Sequence, residues 1–153
     1  MGQDELKKKV LEFLKGQNYC VLSTFSNEYG LTSSTMMYII EDNFTFSLAC
    51  INDTQKVNNI GKNNNVSIVV GFGPEPITVQ AGGKAEIIQD VSEELFYKLM
   101  HKLPHTDLNK WPILKLAKHG FVTIKFQPEW MSFLNLDYTG HKDTYFEGFQ
   151  KVL

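Results

Sequence analysis

The stretch YCVLSTFSNEYGLTSSTMMYIIEDNFTFSLAC, residues 19–50, decides the fold class. Tyr19–Phe25, Leu31–Ile40 and Phe44–Cys50 are rich in β-branched and aromatic residues, and turn-forming residues at Ser26–Gly30 and Glu41–Asn43 separate them. They read as three strands of an antiparallel meander. In the third, Phe44, Phe46, Leu48 and Cys50 alternate with Thr45, Ser47 and Ala49, the pattern of a sheet with one face buried.

Outward from this block the period changes. Leu6, Val10, Leu11, Phe13 and Leu14 have helical spacing, so a helix is expected over Asp4–Lys15, capped by Asp4 and ended by Gly16. On the other side, Thr54–Lys62 reads as a short amphipathic helix and Asn63–Asn65 as a loop. Two long strands follow, Val66–Phe72 and Ile77–Gln89, joined by the turn Gly73-Pro74-Glu75-Pro76. Gly82-Gly83 predicts a bulge or bend of the kind that lets a sheet curl. A helix capped by Asp90 or Ser92 runs to about Lys102 and stops at Pro104. Trp111–His119 forms a second short helix, then come strands Phe121–Phe126 and Trp130–Leu136, separated by Pro128, and a tail, Tyr138–Leu153. About seven strands with helices inserted between strand blocks define a mainly β chain with flanking helices, a small antiparallel barrel rather than a doubly wound parallel sheet.

Composition narrows the function. The 153 residues fit one domain, 1–153, whose tail of 138–153 docks on the domain or on a partner subunit. Fifteen basic residues, every one a lysine, stand against 17 acids, for a net charge of −2. A mildly acidic chain without arginine lacks the electropositive surface and guanidinium forks of a nucleic-acid reader. Any phosphate must be held by lysine, hydroxyls or backbone amides. Two cysteines, Cys20 and Cys50, in apolar stretches and no secretory leader point to reduced thiols and a cytoplasmic protein; no apolar run approaches the ~20 residues of a membrane span. Gly71-Phe72-Gly73 ends a strand and opens no helix, so it is not a dinucleotide fingerprint. His101 and His105 stand four apart with Pro104 between them and no acidic partner at a useful offset, so no metal site is expected. His119 and His141 lack a recognisable nucleophile.

What remains is a constellation: Ser33-Ser34-Thr35-Met36-Met37-Tyr38 on a strand, Cys50-Ile51 ending another, and Asp53-Thr54-Gln55-Lys56 opening a helix. That helix start has the parts of an anion cradle, with unpaired amides, a hydroxyl, a side-chain amide and an ammonium group. It also has a plain reading, a capped helix with an exposed lysine.

From Leu6 to Leu136, the order and spacing of these pieces resemble the FMN-binding split barrels related to pyridoxamine 5′-phosphate oxidase, especially the short general-stress-protein-like members. The stretches that carry the resemblance are Tyr19–Thr24, Gly30–Met36, Phe44–Phe46 onward to Thr54–Val57, Asn63–Val66, and Ile77–Val79 leading into Gly83–Glu86. The resemblance implies a homodimer with two FMN molecules at the subunit interface. Ser34, Thr35 and Met36 would lie along the isoalloxazine, Cys50 and Ile51 would approach it through backbone, and Thr54, Gln55 and Lys56 would hold the phosphate. Thr78 stands where the pyridoxal-forming oxidases place a flavin-contacting glutamine from the other subunit. The family's arginines on the second strand and in the phosphate turn are replaced here by Ser or Thr and by Gln55, and the C-terminal arginine and histidine of the pyridoxal-forming oxidases have no counterpart. The implied activity is that of an FMN-dependent oxidoreductase of unassigned substrate; the alternatives are a flavin-binding stress protein without turnover, or a heme or deazaflavin binder of the same fold.

Overall fold

The structure, a computed structural model, describes residues 2–102, 120–136 and 149–153. Helix α1 (Gln3–Gly16) precedes β1 (Tyr19–Ser26), β2 (Gly30–Met37), β3 (Ile39–Ile40) and β4 (Phe46–Ile51); α2 (Gln55–Lys62) leads to β5 (Asn65–Gly71) and β6 (Ile77–Ile88); α3 (Glu93–Lys102), β7 (Phe121–Asn135) and β8 (Phe149–Lys151) complete the order. The strands form one antiparallel sheet in the order β2-β1-β5-β6-β7-β4-β3, with β8 paired to β7. The sheet's two ends, β2 and β3, are consecutive in the chain and separated only by Tyr38. Joining opposite edges through one residue forces the sheet to curl on itself, which is the split-barrel architecture.

Three expectations are corrected here. The middle strand of the expected meander, Leu31–Ile40, is two strands, because β2 pairs with β1 while Ile39 and Ile40 pair with β4. Tyr38 between them is fully buried, and its hydroxyl donates to the Leu14 carbonyl at 2.6 Å, pinning the crossing to α1. The third strand starts at Phe46 rather than Phe44. Phe44 adopts φ +66° and donates its N–H to the Glu41 carbonyl, closing a turn instead of extending a strand. Finally, Phe121–Phe126 and Trp130–Leu136 are one strand, β7, which runs through Pro128. The register of β6 against β7 shifts between Gly82 and Gly83, so that Gly82 faces Trp130, Gly83 faces Pro128, and Glu129 is the extra residue. A proline lacks the N–H a ladder needs and is tolerated at such a bulge.

Leu6, Val10 and Leu14, one turn apart, are the buried stripe of α1, packed into the core with Leu22, Phe46, Leu48, Val70, Ile124 and Phe126. Burying a side chain of this size contributes about 1.5–3 kcal/mol. Asp4 is not the cap of α1. Gly2 holds that position, while Asp4 and Glu5 lie in the first turn, where negative charge complements the helix dipole. Of the two proposed caps of α3 it is Ser92 that acts, its Oγ accepting the Leu95 N–H at 3.1 Å. The end of the tail docks on its own domain. β8 pairs with β7, Val152 is fully buried, and the Gln3 side chain donates to the Val152 carbonyl at 3.0 Å. The expected helix Trp111–His119, and with it His105 and His141, lies outside the described residues.

Candidate functional site

The end of β4 and the start of α2 bring five of the sequence-derived residues together. After Ile51 the chain turns at Asn52 and Asp53; Asp53 takes φ +65°, and the Asn52 side-chain oxygen accepts its N–H at 3.0 Å. Thr54 follows in extended conformation at the N-cap position of α2, but its hydroxyl caps no amide. Its Oγ1 lies 3.5 Å from the Cys50 thiol, which donates to the Ile51 carbonyl at 3.1 Å. The first turn of α2 holds no acidic residue and Thr54 makes no side-chain cap bond, while the exposed Asp53 stands just before the cap. Gln55 is exposed and Lys56 half-buried at this end. Uncapped amides, the positive end of the helix dipole and one ammonium group suit an oxyanion such as a phosphate.

The strand residues are divided between two faces. In the β1–β2 ladder Ser34 stands opposite Leu22 and Met36 opposite Cys20, and Leu22, Cys20 and Met36 all belong to the core, so Ser34 and Met36 share the inner face. Thr35 stands opposite Val21 on the outer face and is exposed. Thr78 is on β6, 3% exposed, with its hydroxyl donating to the Val70 carbonyl at 3.1 Å. Within one subunit the fold therefore groups Cys50, Ile51, Thr54, Gln55 and Lys56, keeps Ser34 and Met36 on the inner wall, and leaves Thr35 and Thr78 apart from them.

A polar cluster that sequence reasoning missed ties α2 to the sheet. Asn59, 4% exposed, donates from Nδ2 to the Thr24 hydroxyl at 3.1 Å and to that of Thr32 at 3.4 Å, while the two hydroxyls lie 3.2 Å apart. The signal was present: Thr24 and Thr32 flank the Ser26–Gly30 turn symmetrically, and Asn59 stands between Val57 and Ile60 on the buried face of α2. Beside this cluster a cleft of about 500 Å³ opens between α2 and the β1–β2 turn.

On the outer face of the sheet, Val21 stands opposite both Thr35 and Val69, Val69 opposite Gln80, and Gln80 opposite Ser132. Tyr19, Val21, Val69 and Trp130, all large and apolar, are between 39% and 49% exposed across β1, β5 and β7. At the end of α3, burial lowers the Lys102 ammonium to about 8, although the neighbouring Cys20 favours its charged form. Lys102 donates to the Gln17 carbonyl at 2.6 Å and lies 4.3 Å from the centre of the Tyr38 ring. Burial also pushes the Cys20 thiol up to about 12, against the pull of Lys102. Cys20 and Cys50 are both free. His101 shares its Nδ1 with the Tyr97 carbonyl at 2.9 Å, and among the described residues no group of three histidines, cysteines or acids could hold a metal ion. Nor is any described helix long and apolar enough to cross a membrane.

The curled antiparallel sheet whose two edges meet at Tyr38 is a split barrel. The sequence profile of the pyridoxamine 5′-phosphate oxidase family matches residues 6–135, and the chain belongs to that family. Among solved structures it is similar to general stress protein 26 from Bacillus anthracis str. Sterne, with 28% identity, a TM-score of 0.63, and coverage of 84% of this chain and 92% of that one. An F420 reductase shares the fold at 21% identity and a TM-score of 0.64, over 79% of this chain and 94% of that one. A heme binding protein from Mycobacterium smegmatis does so at 14% identity and a TM-score of 0.60, over 99% of this chain and 57% of that one. No curated protein matches the chain.

Proposed function

We propose that the protein binds FMN and acts as a flavin-dependent oxidoreductase in a homodimer. The observation that carries this reading is the start of α2, whose first turn holds no acid and brings Gln55 and Lys56 next to the uncapped Thr54, in a chain of the pyridoxamine 5′-phosphate oxidase family. These residues fit a phosphate monoester: amides and the Thr54 hydroxyl donate hydrogen bonds and Lys56 supplies the charge. Ser34 and Met36 on the inner wall of β2, with Thr35 on its other face, Cys50 and Ile51 at the end of β4, and Thr78 from a second subunit, would position the ring. Bound flavin would supply the electron transfer, and the chain's part is to hold the ring, exclude water and leave one face open to substrate. The apolar outer face bearing Tyr19, Val21, Val69 and Trp130 is the surface a second copy would cover, since apolar groups clustered on one sheet face mark association sites. The buried free thiols Cys20 and Cys50 accord with work in the cytoplasm.

The test is the visible spectrum of the purified protein, followed by anaerobic addition of a nicotinamide donor. Flavin absorbance that bleaches with the donor supports an enzyme, and flavin absorbance that does not bleach points to a flavin-binding stress protein. A Soret band, or saturable binding of a deazaflavin in preference to FMN, would move the protein to the heme or deazaflavin branch of the fold.

A further inference from the structure

We propose that Lys102 is an acyl-acceptor site: its side-chain amine, in the wall of the cleft between the ends of α1 and α3 and the Ile39–Asp42 segment, takes an acyl group from a thioester. The cleft measures about 440 Å³, and three lysines line it, Lys15, Lys98 and Lys102, together with Ile39, Glu41 and Asp42. Two of the three are engaged by carboxylates. Lys15 pairs with Asp42, and Lys98 pairs with Glu94 at 2.8 Å, a contact that holds the Lys98 ammonium in its charged form. Lys102 has no carboxylate partner among the described residues. Half-buried, it donates from Nζ to the Gln17 carbonyl at 2.6 Å and lies 4.3 Å from the centre of the buried Tyr38 ring, so the nitrogen is held in one place at the end of a flexible stem. Cys20 and Tyr38, the titratable groups of the strands beneath it, are both kept protonated by burial. Around the cleft Lys15 and Lys98 stand against Glu41 and Asp42, two of each sign.

A lysine taken partly out of water without a counter-ion is activated as a nucleophile, because desolvation disfavours the ammonium form. Burial lowers Lys102 to about 8 from an ordinary 10.5, so about half of these amines are free base at pH 8, against roughly one per cent or less of ordinary ones. The Nζ lone pair attacks the thioester carbonyl carbon, a C–N bond forms and the C–S bond breaks. Sulfur leaves with the bonding pair as a thiolate and takes up the proton that the nitrogen loses, so an amide and a thiol result and no further reagent is needed. With its charges balanced, the lining suits an uncharged acyl donor, and Ile39 offers a short acyl chain an apolar contact. The amide is neutral, so acylation gives up the contact between ammonium and Tyr38 ring. No residue from the start of α2 lines this cleft, and the site can react whatever occupies the amides there.

The experiment treats the full chain, as purified, with a limiting amount of the S-acetyl thioester of N-acetylcysteamine and follows acetylation of each lysine by peptide mass spectrometry. At pH 8 Lys102 should be acetylated at least about 10-fold faster than Lys8 and Lys62, which are exposed on α1 and α2. Its rate should climb with pH and level off above about pH 9, once the amine is free base. In denaturing urea the advantage should vanish, because it depends on the fold. Lys102→Arg should remove the fast site and leave the rates at Lys8 and Lys62 as they were. The proposal is overturned if Lys102 reacts no faster than Lys8 and Lys62, if its rate keeps climbing in proportion to hydroxide through pH 10, or if its advantage survives unfolding.

Discussion

The indole of Trp130 occupies the space that a side chain on Gly82 would need. A Cβ built on Gly82 would stand 2.6 Å from Cε2 and 2.7 Å from Cζ2 of that ring, so glycine is required for the tryptophan to cover the sheet. The contact sits at the bulge where β7 gains Glu129, and it places Trp130 on the outer face with Val21 and Val69. Gly82→Ala should push the indole away and lower stability by about 1–3 kcal/mol, the usual cost of overpacking. Gly83→Ala should cost more, since its Cβ would meet backbone, 2.7 Å from Glu129 N and 3.0 Å from Pro128 Cα, which cannot swing aside. Urea denaturation of the two variants checks the order. If Trp130 helps form the dimer face, Gly82→Ala also weakens self-association in sedimentation.

Lys56 is the one cation at the start of α2. Replacing it removes a charge-assisted contact to phosphate worth about 1.5–3 kcal/mol, so Lys56→Gln should weaken FMN by roughly ten- to a hundred-fold. Riboflavin, which has no phosphate, should bind both proteins alike. His101→Ala, whose ring packs on Tyr97 at the end of α3, should leave flavin affinity unchanged. Equal FMN affinity in Lys56→Gln and the parent would refute the phosphate assignment.

Stability should vary with alkaline pH in a defined order. Lys102 titrates near 8 in the folded protein against an ordinary 10.5, so between pH 8 and 9 the unfolded chain holds more protons and stability rises with pH. Cys20 acts in the opposite sense: its folded value of about 12 exceeds the ordinary 9.0, so above pH 9 the unfolded thiol loses its proton first and stability falls. Between about 9 and 10.5 the two effects oppose each other. Above that range the lysine contribution is complete, and Cys20, together with Tyr38, whose buried phenol is also shifted up, drives the loss. Denaturant midpoints from pH 7 to 11 should therefore climb, flatten and drop. Lys102→Met should abolish the climb and keep the drop.

Asn59 joins α2 to the β1–β2 hairpin through Thr24 and Thr32. Asn59→Ala removes both bonds and opens space beside buried hydroxyls, which should cost about 1–3 kcal/mol. The two threonines still bond each other, so the loss should stay within that range, as a thermal melt would show.

The strands were legible because their side chains alternate, and the bulge because Gly82-Gly83 has no other reason to sit in a long strand. The break at Tyr38 was not. Met37, Tyr38 and Ile39 read as one apolar run, and only the pairing of each half with a different edge divides it. The alternation of Phe44 with Phe46 fits a strand and carries no information about a positive φ. Pro128 reads as a break between two strands in one dimension, because the glycine pair across the ladder that accommodates it is not visible there. In the candidate site, the start of α2 was visible as a local run of residues. The contribution of Asn59 was hidden because it depends on two threonines more than twenty residues upstream.

The most direct test of the account is a fluorescence titration of the flavin-free protein with FMN, riboflavin and FAD, paired with thermal melts. If the start of α2 holds the phosphate of a bound flavin, FMN at a hundred times its dissociation constant stabilises the fold by about 2.7 kcal/mol, and riboflavin at the same concentration does so much less. If no flavin binds, or if riboflavin stabilises the protein as well as FMN, the central claim is wrong.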